Sequence, residues 1–137
     1  MIADTDTISP SRQQSSGDKS TSVNTHQTVQ RSQFAEFELL PQVQKAIEKR
    51  GYSVATEIQA VSIPPILQGI DVVGQAETGT GKTAAFALPL LSRLDLSDRR
   101  PQILVMAPTR ELAIQVAEAF ESYGQFLPKL GVATVYG

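Results

Sequence analysis

The stretch that decides the fold of this 137-residue chain is residues 76–83, which read Ala-Glu-Thr-Gly-Thr-Gly-Lys-Thr. They match a glycine-rich phosphate-binding loop, with alanine in place of the usual first glycine. Gly79 and Gly81 let the backbone turn tightly and approach an anion. Lys82 would reach the β- and γ-phosphates, and the Thr83 hydroxyl would ligate Mg²⁺. The pattern therefore predicts a nucleotide phosphate site.

The residues on either side of the loop support this interpretation. The run Asp71-Val72-Val73-Gly74-Gln75-Ala76 predicts a short buried strand that leads into the loop. Residues 82–94 predict a buried helix that follows it, although Pro89 should bend or shorten that helix. A glycine-rich turn with a surface lysine is the alternative, and the strand before the loop and the helix after it argue against that alternative.

Apolar spacing predicts the other elements of the chain. Upstream, helices are predicted over 41–50, over 57–62 with Thr56 as N-cap, and from Pro64 to Gly69. Downstream, the predicted elements are a strand over 103–107, a strand over 132–136, and a helix over 110–122 with Leu112, Val116, Ala119 and Phe120 facing inward. Continuous apolar strands that alternate with helices indicate the α/β class, a parallel sheet flanked by helices. Ligands of such sheets bind beyond the carboxyl ends of the strands.

Composition restricts the possible functions. Hydrophobic residues make up 41% of the chain and charged residues 19%, so one hydrophobic core is possible, and a net charge of −2 argues against a basic nucleic-acid coat. The sequence contains no cysteine, which excludes disulfides and thiolate metal sites. No apolar run approaches the roughly 18 residues of a membrane span. We therefore expect a soluble, cytoplasmic protein without a membrane anchor.

Residues 1–33 differ from the rest of the chain. They are rich in Ser, Thr and Gln and carry almost no bulky apolar side chains. Such a segment buries too little surface to offset its ordering entropy, so a disordered polar tail is predicted. A transit peptide is the alternative, and the acidic residues Asp4, Asp6 and Asp18 argue against it. The folding part is then residues 34–137.

Gln59 lies shortly upstream of the loop. A glutamine side chain presents one donor and one acceptor, a pair that suits the N6 and N7 edge of adenine. Taken alone, however, Gln59 would be a solvated helix residue. On the same basis Phe34 and Tyr52 would be core residues, and Arg110 would be part of a solvated helix face.

A set of motifs in fixed order resembles the DEAD-box RNA helicases. Residues 51–59 are similar to the Q motif of that family, and Phe34 stands seventeen residues before Gly51, where the family places an isolated aromatic. Residues 76–83 resemble motif I and residues 108–113 resemble motif Ia. The closing Tyr136-Gly137 resembles the start of a Tyr-Gly-Gly segment. The resemblance covers the folding part and implies a RecA-like P-loop NTPase fold, an incomplete first helicase domain of bacterial type.

One departure from the family pattern lies in the Q motif. Ala55 and Glu57 stand where proline is common, which loosens the turn before the helix but leaves Thr56 and Gln59 in place.

The resemblance also implies roles for individual residues. Gln59 would read adenine and Phe34 would pack against the base, with Tyr52 and Thr56 supporting that pocket. The residues that would hold the phosphates of ATP and Mg²⁺ are Thr78, Gly79, Thr80, Gly81, Lys82 and Thr83. Of these, Lys82 and Thr83 would be catalytic, and Thr83 would ligate the metal. Pro108, Thr109 and Arg110 would contact the RNA sugar–phosphate backbone without sequence specificity.

Other features of the family do not occur in this sequence. It contains neither Asp-Glu-Ala-Asp nor Ser-Ala-Thr, and no second domain with an arginine finger. We therefore expect the N-terminal part of an ATP-dependent RNA helicase, which binds nucleotide without hydrolysing it and has a fragile fold. Two alternatives stay open: another superfamily 2 P-loop NTPase or DNA helicase, and a non-catalytic module that binds nucleotide or RNA. Nothing in the sequence indicates a protein partner.

Overall fold

The computed structural model describes residues 21–22 and 32–136. The helices are α1 (Pro41–Lys49), α2 (Glu57–Leu67), α3 (Lys82–Ser92) and α4 (Arg110–Tyr123), and a 3₁₀ turn covers Phe34–Glu36. Two short strands, β1 (Thr21–Ser22) and β2 (Val72–Val73), pair in parallel, with Thr21 opposite Val72. In the described ranges no helix is long and apolar enough to cross a membrane. Most of the predicted tail, residues 1–33, lies outside the described residues.

Helices α1 and α4 match their predictions closely. Pro41 occupies the first helical position of α1, where its missing N–H costs nothing, and Gly51 follows the helix end with a φ of +72°. Thr109 caps α4, because its hydroxyl oxygen accepts a hydrogen bond from the Leu112 N–H at 3.2 Å. These boundaries follow from local signals in the sequence.

The prediction of two helices over 57–69 is wrong. The structure has one helix, α2, which runs through Pro64 and Pro65 without interruption. Both prolines remove a backbone donor, yet their fixed φ is compatible with a helix, and α2 packs against α3, with Ile63 in the same core cluster as the α3 side chains. In α3, Pro89 is likewise internal, and that helix ends at residue 92 rather than 94.

The largest difference between prediction and structure concerns the strands. Only Val72–Val73 of the run 71–76 pairs as a strand, and residues 103–107 and 132–136 form no strand. Leu104 is 86% exposed and Val135 is 93% exposed. An apolar run becomes a strand only where a neighbouring strand supplies backbone partners, and the described part of the chain offers these two runs none. Leu112, predicted to face inward, is also exposed.

The core is formed by helices around α3. Its residues Ala87, Leu88 and Leu91 are fully buried, and α3 packs against α1, α2 and α4. Phe86 of α3 meets Phe120 of α4 with ring centroids 6.0 Å apart. Each fully buried leucine contributes roughly 1.5–3 kcal/mol to the stability of the fold. The phosphate loop therefore ends in the most buried helix of the protein.

The two leucines Leu88 and Leu104 test this description directly. Leu88→Ala should lower the free energy of unfolding by about 2–5 kcal/mol, because it leaves a cavity in the core. Leu104→Ala should change it by less than about 0.5 kcal/mol, because that side chain lies in solvent. Urea denaturation of both variants measures the difference. A large loss for Leu104→Ala would mean instead that residues 103–107 are buried, as the sequence predicts.

Candidate functional site

The glycine-rich loop connects β2 to α3. Gly79 has a φ of +80° and Gly81 a φ of +81°, and Gly81 is the N-cap residue of α3. L-residues rarely adopt this left-handed conformation, because Cβ then crowds the following carbonyl oxygen. Both glycines are therefore required by the backbone path of the loop.

The interior of the loop is arranged to receive an anion. The Lys82 ammonium donates to the carbonyl oxygens of Ala76 at 2.5 Å and Glu77 at 2.6 Å, and the Thr80 hydroxyl donates to Glu77 O at 2.7 Å. The backbone N–H groups of residues 79–83 donate no hydrogen bond to another described residue. Unpartnered N–H groups at a helix start, beside a lysine, fit a phosphate group.

The side chain of Gln59 connects α2 to this loop. Its Oε1 accepts from the Thr56 N–H at 2.9 Å, and its Nε2 donates to the Gly81 carbonyl oxygen at 3.2 Å. Beside it, the Thr56 hydroxyl donates to the Thr80 carbonyl oxygen at 2.8 Å. Gln59 is only 5% exposed, so the interpretation of this residue as a solvated helix residue is wrong. The Thr-x-x-Gln spacing of a capping box was the sequence signal for the first of these bonds.

A cavity of about 210 Å³ lies between the Q-motif segment and the loop. The residues that line it are Phe34, Tyr52, Val54, Thr56, Gln59, Gly79, Gly81, Ala84 and Tyr123. The structure thus brings together all four predicted base-pocket residues and the two loop glycines. It does so although Gln59 and Gly79, the nearest lining residues of the two segments, lie twenty positions apart in the sequence.

Phe34 is both a core residue and a cavity wall. Its N–H donates to Ser53 O at 2.9 Å, and its carbonyl oxygen accepts from Gln44 Nε2 at 2.8 Å. Its buried ring meets the ring of Phe37 edge-on, with centroids 6.0 Å apart. Tyr52, by contrast, is largely exposed. Two hydrogen bonds of the Phe34 backbone and one aromatic contact thus fix where the Phe34 ring meets the cavity.

Tyr123 is a lining residue that the sequence reasoning missed. It lies on the same face of α4 as the buried Val116 and Phe120, one residue beyond the predicted end of that helix. Burial raises the pKa of Tyr123, and the nearby positive charge of Arg50 opposes that rise. The helical spacing from Val116 was the signal that could have identified it.

The motif Ia residues lie apart from the loop. Pro108, Thr109 and Arg110 are exposed, and the Arg110 guanidinium lies 4.2 Å from the centroid of the Tyr136 ring. Among the hydrogen bonds of the described residues, none joins these three positions to residues 76–83. Of the remaining loop residues, Thr78 is exposed and Thr83 is half-buried in the first turn of α3.

Comparison with known proteins identifies the family. A sequence model described as DEAD/DEAH box helicase matches residues 56–137, more than half of the chain. The chain belongs to this family. Over 104 residues, or 76% of its length, the chain is 55% identical to the ATP-dependent RNA helicase DeaD of Mycobacterium tuberculosis. It is 49% identical over the same share to the protein of that name from Escherichia coli. The chain spans 18% and 16% of the lengths of these relatives.

Solved structures of this helicase family show the same fold. A DEAD box protein from Methanococcus jannaschii aligns with a TM-score of 0.71 at 39% identity, covering 77% of this chain and 29% of that one. An S. cerevisiae Dbp5 variant bound to RNA and ADP BeF3 aligns with a TM-score of 0.67 at 36% identity, covering 70% and 25%. The predicted α/β class, a partial RecA-like P-loop domain, is therefore confirmed, although strand pairing in the described residues is limited to β1 with β2 and an isolated antiparallel bridge between Gln33 and Val54.

Two glycines test the link between Gln59 and the loop. Gly51→Ala and Gly81→Ala should each lower the free energy of unfolding by about 1–2 kcal/mol, because both backbones have positive φ. Gly81→Ala should cost roughly 1 kcal/mol more, since its new methyl group would displace the Gln59 amide and break its hydrogen bonds, whereas Gly51 faces open space.

Urea denaturation in a Gln59→Ala background completes this test. In that background the additional cost of Gly81→Ala should disappear, because the displaced amide is gone. An unchanged difference between the two glycine variants would contradict the assigned contact.

Proposed function

We propose that the chain binds ATP with Mg²⁺ and forms the ATP-binding first part of an ATP-dependent RNA helicase. The observation that carries the proposal is the 210 Å³ cavity, which shares Gly79 and Gly81 with the phosphate loop and Gln59 with the Q-motif segment. A base in this cavity and phosphates in the loop would belong to one nucleotide. The relatives named ATP-dependent RNA helicase support this assignment.

The loop would hold the triphosphate. The backbone N–H groups of residues 79–83 donate to no other described residue, so a bound phosphate would break no hydrogen bond that they make there. Thr78 and Thr80 lie in the same loop and would border the phosphates. Lys82 would exchange its two carbonyl partners for phosphate oxygens, a gain because its charge then meets an opposite charge. The Thr83 hydroxyl would ligate Mg²⁺, which neutralises phosphate charge when bound.

Gln59 would recognise adenine while keeping its protein contacts. Its Oε1 has a second lone pair and its Nε2 a second hydrogen beyond the bonds to Thr56 and Gly81. The two bonds fix the plane of the amide, so the remaining donor and acceptor are oriented in advance. Phe34 would pack against the base, with Tyr52 and Thr56 supporting the pocket.

Pro108, Thr109 and Arg110 would bind the RNA sugar–phosphate backbone without reading its sequence. All three are exposed, and among the described residues Arg110 makes no ion pair, its guanidinium lying against the face of the Tyr136 ring. The structure of the Dbp5 variant bound to RNA and ADP BeF3 supports the pairing of RNA with nucleotide in such a domain.

We propose that ATP hydrolysis requires acidic residues that this sequence does not contain. A P-loop NTPase uses an acidic residue at a second strand end to hold Mg²⁺ and position the attacking water. The sequence has no Asp-Glu-Ala-Asp, so we assign binding without turnover to residues 34–137, and a non-catalytic tail to residues 1–33. Duplex unwinding would belong to the complete helicase in the cytoplasm.

Nucleotide affinity tests the site. Lys82→Ala and Gln59→Ala should each weaken Mg²⁺-dependent binding of a fluorescent ATP analogue at least tenfold, a loss of about 1.4 kcal/mol. Gln59→Ala should also abolish the preference over the guanine analogue. Lys45→Ala, a change at an exposed lysine of α1, serves as the matched control and should have no effect.

Two results would contradict the proposal. One is equal loss of binding in the Lys45→Ala control, which would indicate a non-specific charge effect. The other is ATP turnover by the purified chain that disappears in Lys82→Ala, which would show that the DEAD tetrad is not needed for hydrolysis.

Salt dependence tests the RNA assignment. Arg110→Gln should weaken binding of single-stranded RNA and reduce the slope of log K against log salt by about 0.7, the contribution of one phosphate contact. ATP affinity should not change. Arg99→Gln, at an exposed arginine of the polar link, is the control, and an equal effect there would contradict a specific contact through Arg110.

A further inference from the structure

Tyr123 forms a wall of the base cavity that no motif assigns. It is the last residue of α4, thirteen positions after Arg110, and it lines the cavity together with Phe34, Gln59 and the loop glycines. It is only 8% exposed. Helix α4 thus contributes to a cavity whose other walls come from the 3₁₀ turn, the Q-motif segment, the phosphate loop and the start of α3.

Arg50 holds the ring of Tyr123 in place. The guanidinium carbon of Arg50 lies 5.0 Å from the ring centroid, within the range of a cation–π contact. Arg50 also donates a hydrogen bond to the hydroxyl of Ser122, the residue next to Tyr123. These two contacts tie the end of α1 to the end of α4. They limit the positions that the tyrosine ring can take at the cavity wall.

The hydroxyl of Tyr123 has an unused hydrogen-bonding capacity. No hydrogen bond joins it to another described residue, and its oxygen is not among their fully buried unpartnered atoms, so the hydroxyl is accessible at the edge of the buried ring. A tyrosine hydroxyl is protonated at neutral pH and can donate. Burial raises the pKa of Tyr123 further, against the opposing charge of Arg50. A protonated hydroxyl that bonds to no described residue, on a side chain that lines the cavity, is suited to a polar ligand atom.

We propose that Tyr123 is a specificity-determining residue whose hydroxyl hydrogen-bonds to the nucleoside part of the bound nucleotide, and that Arg50 is its positioning residue. The loop N–H groups and Lys82 at the start of α3 would hold the phosphates, which leaves the nucleoside part as the partner of the hydroxyl. The inference rests on the proposed function, since it needs a nucleotide in the cavity.

Tyr123→Phe is the variant that separates the hydroxyl from the ring. It keeps the packing and the contact with Arg50, and removal of an unpartnered hydroxyl should leave the melting temperature unchanged or higher. The affinity for ATP with Mg²⁺, measured by calorimetry, should fall about threefold to tenfold, the effect of one neutral hydrogen bond. Inorganic tripolyphosphate, which contacts the loop alone, should bind as it does to the unaltered chain.

Arg50 provides the second arm of the experiment. Arg50→Lys keeps the charge and loses the planar contact with the ring. It should weaken ATP binding by a similar factor, with tripolyphosphate again unaffected. In Tyr123→Phe, Arg50→Lys should have no further effect on ATP affinity, because it acts only through the hydroxyl.

The outcomes distinguish the two proposals. If Lys82→Ala abolishes ATP binding and Tyr123→Phe leaves it unchanged, the role of Tyr123 is overturned and the proposed function stands. An equal loss of ATP and tripolyphosphate affinity in Tyr123→Phe would also overturn it, since the change would then act on the loop. If the unaltered chain binds neither ligand, both proposals fail.

Discussion

The contact on which the site depends is the Gln59 side chain placed between α2 and the phosphate loop. One amide accepts from the Thr56 N–H and donates to the Gly81 carbonyl oxygen, so it ties the first turn of α2 to the first turn of α3. A side chain at position 81 would occupy the space of that amide. The glycine is therefore required twice, by its positive φ and by the neighbouring glutamine.

The surrounding helices hold this contact in place, although the described residues form only a short two-stranded sheet. Helix α3 is the most buried element, and α1, α2 and α4 all pack against it. Because α2 carries Thr56 and Gln59 at its start and α3 follows directly from the loop, their packing brings the cavity walls together. The cavity is thus a product of helix packing, and residues 103–107 and 132–136 do not line it.

Local signals account for the parts of the site and fold that could be predicted. The Gly79-Thr80-Gly81 turn, the start of α1 at Pro41 and the cap at Thr109 each depend on residues within a few positions of one another. The predictions that are wrong concern elements whose structure depends on residues far away in the sequence. The run containing Leu104 needs a neighbouring strand, and α2 continues past Pro64 because α3 packs against it.

The sequence by itself determined the phosphate loop, the order of the helicase motifs and most helix boundaries, because each is encoded in a short segment by backbone preference and side-chain type. Only the tertiary structure decided which side chains share one cavity. Gln59 became a bridge rather than a surface residue, and Tyr123 joined the wall of the pocket, since both depend on how α2, α3 and α4 pack. Residues far apart in the chain meet only when burial of the apolar helix faces brings them together.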